Sequence, residues 1–321
     1  MQKTAFITGI SGQDGSYLTE YLLSMDYKVT GLIRRNSVAE NQDYRLSNLS
    51  DVEVCYGDLL DISSIQTALT RFKPDEIYNL GAQSHVRISS EIPQFTAQVN
   101  ALGALNLLES YKSICPTAKY YQASSSEMFG QNIDTDGFQR ESTKMDPVSP
   151  YGVAKLFAYN MTRHYRNAYG LNAVNGILFN HESPRRGSNF VTNKVIMGAI
   201  RIKRGKQKNL EMGNLNSFRD WGHSYDYVRA MHLIINAPTK KDYIVATGES
   251  HSVRDLCDYV FTKLDLNYTE YVVKNEKYLR PEELTNLKGD SKLIRSELGW
   301  VPKYNFYSLI DEMIDHWQKI I

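Results

Sequence analysis

Short apolar runs rich in β-branched and aromatic residues recur along this chain, each bounded by polar or glycine-containing segments. Runs of this length and composition are typical of buried β-strands. The pattern predicts seven strands, at residues 4–8, 28–33, 52–58, 76–80, 118–125, 172–179 and 242–248.

Amphipathic segments between these runs predict helices at 16–25, at 95–113 and from 150 onwards. Ser149 suits the N-cap and Pro150 the first turn of the last of these helices, and Gly170 can end it in the left-handed conformation. Alternation of strands and helices indicates a parallel sheet covered by helices on both faces. The prediction is an α/β protein with a Rossmann-like, doubly wound parallel sheet.

The pattern changes after residue 180, where polar segments and short helices replace most of the strands. We therefore predict two interleaved domains. Residues 1–180 plus 215–249 form the larger, dinucleotide-binding domain. Residues 181–214 plus 250–321 form a smaller, mainly α-helical domain that binds the substrate.

Composition narrows the possible functions. The 321 residues carry a net charge of +1, which gives no reason to expect binding to nucleic acid or to a membrane surface. No segment approaches the roughly 20 apolar residues that span a bilayer, and the start lacks the apolar core of a signal peptide. The three cysteines are widely spaced and no histidine pair has the spacing of a metal site. We expect a cytoplasmic protein without a metal.

A glycine-rich loop supplies the first candidate site. Gly9, Gly12 and Gly15 lie in ITGISGQDGSYL, between the first predicted strand and the first predicted helix. Glycines there permit a tight turn, close approach to a pyrophosphate, and tight packing of helix on strand. An ordinary loop with chance glycines is the alternative, but the position between strand and helix favours a dinucleotide site.

The end of the second predicted strand bears on which dinucleotide binds. NAD sites usually have an acidic residue there, whereas this chain has Arg34 and Arg35. Guanidinium groups suit a 2′-phosphate, so the pair favours NADP over a solvated basic surface. Asp58 and residues 79–84 follow the third and fourth predicted strands, at the sheet edge where ligands bind.

Tyr151 and Lys155 lie four residues apart at the start of a predicted helix, so they share one face. A nearby ammonium and the helix dipole both favour phenolate, so we expect a lowered pKa for Tyr151 and a role as a base. Ser125, after the fifth predicted strand, can bind the same substrate oxygen. A plain amphipathic helix is the alternative. Glu127, two residues after Ser125, has no obvious use in a simple alcohol dehydrogenase.

Several long stretches resemble the extended short-chain dehydrogenase/reductase family, in its branch of GDP-sugar 4,6-dehydratases. They are ITGISGQDGSYL, NLGAQSHV, YQASSSEMFG, SPYGVAK, NGILFNHESPRRG, RDWGH, ATGESHSVRD and LRPEE. The resemblance implies C4 oxidation of a GDP-hexose, loss of water across C5–C6, and reduction at C6 with recycled NADP(H). The implied substrate is GDP-mannose and the implied assembly is a homodimer or homotetramer, with the RRNS loop near a neighbouring subunit.

The resemblance also assigns residues. It implies that Ser125, Glu127, Tyr151 and Lys155 are catalytic, with Glu127 as the C5 base and Ser126 beside the C6 leaving group. The residues predicted for the cofactor are Gly9, Ser11, Gly12, Gln13, Asp14, Gly15, Arg34, Arg35, Asp58, Leu59, Leu80, Ala82, Gln83, Ser84, Tyr151, Lys155, His181 and Arg186. Those predicted for the substrate are Ser84, Ser125, Asn180, Lys194, Arg219, Arg280 and Glu283.

Two departures from the family pattern bear on the sugar. Asn193 stands where arginine is common, and Phe95 where a tyrosine is usual. Another GDP-hexose, such as GDP-N-acetylglucosamine, therefore stays open as the substrate. An epimerase or reductase needs no C5 base, so Glu127 disfavours that class. A non-catalytic NADP-binding protein is the remaining alternative, and the complete set of reacting residues disfavours it.

Overall fold

The computed structural model of the protein describes residues 2–35, 45–46 and 52–321. The strands of these residues are β1 Thr4–Thr8, β2 Lys28–Ile33, β3 Val52–Tyr56, β4 Glu76–Asn79, β5 Lys119–Ser125, β6 Asn172–Leu178, β7 Asn180–Glu182, β8 Leu210–Met212, β9 Phe218–Arg219, β10 Trp221–His223, β11 Tyr243–Val245, β12 His251–Ser252, β13 Val272–Lys274 and β14 Asn286–Leu287.

The α-helices of the described residues are α1 Gln13–Ser24, α2 Ile62–Phe72, α3 Val86–Glu91, α4 Pro93–Ala97, α5 Gly103–Ile114, α6 Pro150–Tyr169, α7 Val191–Lys203, α8 Ser224–Ile235, α9 Val253–Lys263, α10 Tyr268–Tyr271, α11 Lys292–Leu298 and α12 Phe306–Ile320. Residues Ser126–Phe129 and Glu276–Tyr278 form 3₁₀ turns, and Gln98–Leu102 forms a π turn. None of these helices is long and apolar enough to cross a membrane.

The central sheet has seven parallel strands in the order β11-β6-β5-β4-β1-β2-β3. The order reverses beside β1, and a parallel sheet of this kind binds ligands at the carboxyl ends of its strands there. Helices cover both faces, which confirms the predicted Rossmann-like fold. α1 and α8 pack on one face, where Leu22 and Met231 are fully buried. α2, α5 and α6 cover the other face around Leu69, Leu107 and Tyr165.

Beyond the sheet, α7, α9 and α12 form a second core with strands β8 and β10. Chain segments from distant positions meet here in small sheets, one of them ordered β12-β9-β14. β11 belongs to the central sheet, whereas β9 belongs to this smaller assembly. The predicted boundaries between the two interleaved domains stay a prediction.

The predicted strands at 4–8 and 28–33 are confirmed with the same bounds. The predicted helix from Ser149 is also confirmed, with Ser149 Oγ accepting from the Gly152 amide and Gly170 at φ 68°. The predicted helix at 95–113 is confirmed as one helical run, in which a π turn at Gln98–Leu102 joins α4 to α5. The π turn places Asn100 where its side chain accepts from the Gln83 amide and donates to the Gln83 carbonyl.

Candidate active site

A cavity of about 680 Å³ opens at the carboxyl ends of β1, β4, β5 and β6, beneath the smaller assembly. It brings together residues that the sequence scatters over nearly the whole chain. The predicted site residues that line it are Asp14, Leu80, Ala82, Ser84, Ser125, Ser126, Glu127, Tyr151, Lys155, Asn180, His181, Arg186, Lys194, Arg219, Arg280 and Glu283.

Glu127 is positioned by the turn that ends β5. Ser125 caps this 3₁₀ turn, its Oγ accepting from the Glu127 amide at 3.2 Å. The first turn of α6 packs directly on it, since a Cβ on Gly152 would lie 2.8 Å from the Glu127 carbonyl oxygen. The Tyr151 amide donates to Ser89 Oγ at 3.2 Å, which fixes the start of the helix. Ser125, Glu127 and Tyr151 therefore share one rigid junction.

Tyr151 and Lys155 line the cavity as predicted, but the expected lowering of the Tyr151 pKa is wrong for the free protein. Burial raises the pKa of Tyr151 to about 12, and the nearby Ser125 hydroxyl offsets only part of this effect. Burial also lowers the pKa of Lys155 to about 8, against the opposing effect of Asp14. Lys155 Nζ donates to the Ala123 carbonyl at 3.0 Å and lies 5.7 Å from the centre of the Tyr151 ring.

The far wall of the cavity carries three cations, from α7, β9 and the segment after β13. Burial lowers the pKa of Lys194 to about 8 and that of Arg219 to about 10. Lys194 Nζ lies 3.2 Å from the centre of the Tyr278 ring, and Arg219 Nη1 donates to the Phe218 and Leu284 carbonyls. Arg280 Nη1 donates to Glu127 Oε1 at 3.2 Å. This cluster suits a polyanionic ligand.

At the opposite end, the β1–α1 loop fits a pyrophosphate. A Cβ on Gly15 would lie 2.3 Å from the Gly9 carbonyl oxygen, so only glycine allows this tight turn. No side chain of the described residues caps the first amides of α1, which leaves them available to an anion. The loop therefore has the features that the dinucleotide prediction requires.

Asp14 and His181 link this loop to the strands above it. His181 Nε2 lies 2.8 Å from Asp14 Oδ2, and Gln13 Nε2 donates to the His181 carbonyl. Burial alone would raise the pKa of Asp14, but His181 and Arg186 outweigh it and lower that pKa. Burial opposes the charge on His181, yet Asp14 raises its pKa above the usual value. Both shifts favour the charged forms of this pair, which lies in the cavity wall.

The other predicted cofactor residues lie outside the cavity lining. Gly9, Ser11, Gly12, Gln13 and Gly15 form the β1–α1 loop, Arg34 and Arg35 are exposed after β2, and Asp58 and Leu59 follow β3. The Gln83 side chain donates to the His85 carbonyl in its own loop and accepts from Thr96 of α4. Asn36 and Ser37 of the RRNS stretch lie outside the described residues.

Sequence reasoning missed Arg45, whose Nη1 donates to the Ser11 carbonyl at 2.9 Å and so brings a guanidinium to the glycine-rich loop. Its place in the segment between β2 and β3, close to the arginine pair, was the available signal. The Asn193 departure has a structural explanation. Asn193 Nδ2 donates to the Arg186 carbonyl and its Oδ1 accepts from Trp317, so it ties α12 to a cavity segment. Phe95 is half-buried and lies outside the cavity lining.

Within residues 2–35, 45–46 and 52–321, no group of three or more His, Cys, Asp or Glu side chains is arranged to hold a metal ion. Cys55, Cys115 and Cys257 are free thiols.

Comparison with known families gives a match over almost the whole chain. A family model described as GDP-mannose 4,6 dehydratase matches residues 6–313. GDP-mannose 4,6 dehydratase 1 of Arabidopsis thaliana is 49% identical over 98% of this chain and 89% of its own length. GDP-mannose 4,6-dehydratase of Vibrio cholerae is 42% identical over 98% of this chain and 93% of its own.

Solved structures share the fold. UDP-glucose 4-epimerase of Thermus thermophilus, in complex with NAD, superposes with a TM-score of 0.86 at 25% identity, over 99% of this chain and 100% of its own. dTDP-glucose 4,6-dehydratase of Bacillus anthracis, with NAD, gives 0.84 at 19% identity, over 99% and 97%. RMD of Pseudomonas aeruginosa, complexed with NADPH, gives 0.81 at 22% identity, over 99% of this chain and 100% of its own.

Proposed function

Because this chain belongs to the GDP-mannose 4,6-dehydratase family, we propose that it converts GDP-mannose to GDP-4-keto-6-deoxymannose. The observation that supports this most directly is Glu127, which lies in one cavity with Ser125, Tyr151 and Lys155. An epimerase or reductase needs the last three residues but no base at C5. GDP-N-acetylglucosamine is the less favoured substrate, since the similar proteins are named for GDP-mannose.

The cofactor is a nicotinamide dinucleotide, and we propose NADP in particular. The uncapped start of α1 and the crowded Gly15 suit its pyrophosphate, and Arg34, Arg35 and Arg45 supply guanidinium groups on the side of the adenosine. When bound, it would supply hydride acceptance at C4 and return at C6, and the positive charge of its oxidised nicotinamide ring would favour ionisation of Tyr151.

The residues of this chain then divide the proton transfers. Tyr151 takes the C4 hydroxyl proton, and Ser125 hydrogen-bonds the same oxygen. The resulting 4-keto group acidifies the C5 hydrogen, which Glu127 removes as a proton and passes to the C6 hydroxyl, so that this group departs as water beside Ser126. C5 regains a proton when C6 is reduced, and the proton that Tyr151 took from the C4 hydroxyl balances it. Lys155 Nζ donates to the Ala123 carbonyl of β5. From this position Lys155 orients the substrate and the cofactor beside Ser125 and Tyr151.

The second half of the cavity holds the nucleotide. Lys194, Arg219 and Arg280 suit the diphosphate, and Asn180 and Glu283 complete the proposed substrate contacts. Glu283 Oε1 accepts from the Arg280 amide, so the carboxylate is held beside the cationic wall. A carboxylate there can accept from the N1 and N2 donors of guanine.

We also propose a homodimer or homotetramer in the cytoplasm. Leu102, Val153 and Phe157 leave apolar surface exposed on the neighbouring π turn and α6, which suits a contact between copies. Light scattering on a gel-filtration column measures the assembly, and a monomer at micromolar concentration would contradict it.

The test of the dehydratase proposal is Glu127→Gln, which keeps the shape of the side chain but cannot accept the C5 proton. General-base catalysis contributes about 10²–10⁴-fold, so turnover of GDP-mannose should fall by about that factor. C4 oxidation remains possible, so reduced nicotinamide should accumulate. Product, deuterium exchange at C5 and nicotinamide absorbance are measured on one preparation. Near-normal product formation with normal exchange at C5 would remove Glu127 from this role.

The test of cofactor choice is the double variant Arg34→Ala/Arg35→Ala. Each lost charge-assisted bond costs about 1.5–3 kcal/mol, so the preference for NADP over NAD should fall at least tenfold. Binding of both dinucleotides is measured by calorimetry, with Arg71→Ala, an exposed arginine on α2, as the matched control. An unchanged ratio in the double variant would contradict the NADP proposal.

A further inference from the structure

Arg280 joins the two sides of the cavity. Its Nη1 donates to Glu127 Oε1 at 3.2 Å, although 153 residues separate them along the chain. The Glu127 side chain is 7% exposed and that of Arg280 is 26% exposed, so Glu127 is the more enclosed partner. The ion pair therefore engages an oxygen of the carboxylate that the proposed reaction uses as a base.

The backbone that carries Arg280 is held firmly. β13 pairs with β8, and a Cβ on Gly213 would lie 2.7 Å from the Tyr278 carbonyl oxygen. The Arg280 amide donates to Glu283 Oε1, and Gln131 Nε2 donates to the Glu283 carbonyl. A change of partner by Arg280 is consequently a rotation of its long side chain, with no displacement of the segment required.

A second place for the guanidinium lies in the same cavity. In the part of the chain that the structure describes, neither Lys194 nor Arg219 makes a salt bridge with a carboxylate. Burial lowers the pKa of both groups, and the nearby carboxylates, Glu211 for Lys194 and Glu127 and Glu283 for Arg219, offset only part of this effect. An entering diphosphate would be attracted to these two cations, and it would then offer oxygens to Arg280 as well.

The two positions of Arg280 have different consequences for Glu127. While the guanidinium donates to Oε1, the positive charge of Arg280 offsets the negative charge of the Glu127 carboxylate. One of the two carboxylate oxygens is also occupied by this hydrogen bond. Proton transfer requires hydrogen-bond reach between the base and the proton that it abstracts. If Arg280 holds Glu127 until the diphosphate has bound, Glu127 cannot act as a base on a sugar that lacks the nucleotide.

We propose that Arg280 changes partner during the reaction cycle: it pairs with Glu127 in the free enzyme and moves to the substrate diphosphate on binding, which releases Glu127 to act at C5. This inference rests on the proposed function, because it takes a nucleoside diphosphate as the ligand. It makes Arg280 a positioning residue for Glu127 as well as a contact for the nucleotide.

The exchange predicts an energetic coupling that calorimetry can measure with GDP as the probe. In the wild type, GDP competes with Glu127 for Arg280. Glu127→Gln weakens that competitor, so this variant should bind GDP about three- to tenfold more tightly than the wild type. Guanosine lacks the diphosphate and should bind both proteins equally.

Removal of a negative charge near an anionic ligand can also tighten binding without any exchange. The control is the same substitution in an Arg280→Met background, with Arg280→Gln as a second form if the first fails to fold. Under the exchange, Glu127→Gln should change GDP affinity less than about twofold when Arg280 is absent, so the double-mutant cycle is non-additive.

Two results would overturn the exchange: no tightening of GDP by Glu127→Gln alone, or equal tightening with and without Arg280. Failure of the proposed function would look different. In that case neither the wild type nor any variant at position 127 or 280 would bind GDP or produce the 4-keto sugar. Wild-type binding and turnover with additive variants would therefore reject only the exchange.

Discussion

Lys155 is required for the proposed reaction, but its buried charge should lower the free energy of unfolding of the nucleotide-free protein. Its side chain is 5% exposed, and burial lowers its pKa from 10.5 to about 8. Each tenfold change in the proton equilibrium corresponds to about 1.4 kcal/mol, so the charged form costs the folded state about 3 kcal/mol at neutral pH. Lys155→Met removes that cost in a side chain of similar length.

The substitution also removes a hydrogen bond, but this loss is the smaller effect. The Ala123 carbonyl that accepts from Lys155 also accepts from Gln122 Nε2 at 3.2 Å, so it keeps a partner. Loss of one such bond costs about 1 kcal/mol. Lys155→Met should therefore raise the free energy of unfolding by about 2 kcal/mol at pH 7, although turnover should fall to background.

The sign of the pH dependence identifies the charge as the cause. Below pH 8, Lys155 is charged in both states and the folded wild type bears the full cost. Between about pH 8 and 10.5 the folded protein loses this proton before the unfolded chain does, so wild-type stability rises relative to the variant. The gain from Lys155→Met should thus shrink as the pH rises through this window.

Urea unfolding of the nucleotide-free proteins at about pH 7 and about pH 9.5 measures both quantities. Lys274→Met, at an exposed lysine of β13, is the matched control and should change stability little at either pH. A Lys155→Met variant that is less stable than the wild type at pH 7 would refute the reasoning. So would a gain in stability that does not depend on pH.

Two further predictions concern the ends of the cavity. Gly15→Ala should weaken NADP binding at least tenfold, because its Cβ would lie 2.3 Å from the Gly9 carbonyl oxygen. The Cβ of Gly12→Ala would lie 3.0 Å from the same oxygen, so this variant should lose less affinity. Calorimetry that ranks the two variants in the reverse order would contradict this. Affinity for GDP should fall as the pH rises above about 8, since the Lys194 pKa of about 8 marks the loss of its charge in the free protein. Lys194→Arg should keep that affinity at about pH 9, and a pH-independent dissociation constant for the wild type would exclude Lys194 from the diphosphate site.

The sequence predicted the sheet well because a strand buried on both faces must be a nearly continuous apolar run, and the polar ends of such runs are visible. The runs that became β1 and β2 are of this kind. The caps of α6 were equally predictable, since Ser149 acts through its side chain on the first turn of its own helix and Gly170 through its own backbone conformation. These features are local, so no knowledge of the tertiary structure was needed.

The site was predictable in its members and less so in their interactions. The resemblance named residues that the fold collects in one cavity, but the pairing of Glu127 with Arg280 depends on how the smaller assembly covers the sheet. The Tyr151 pKa was misjudged because spacing along a helix says nothing about burial, which is the larger effect here. Arg45 was missed because its contact with Ser11 crosses a segment without a helix or strand pattern.

The π turn at Gln98–Leu102 has a consequence for the history of this helix. A π turn contains one residue more than a regular α-helical turn would need, so it can be regarded as a single-residue insertion between α4 and α5. Deletion of that residue would restore a regular helix and rotate Asn100 by about 100° away from the backbone of Gln83. The insertion thus lets two parts of one helical segment face different neighbours. The side chains of α4 face α6, and Asn100 faces the loop that follows β4.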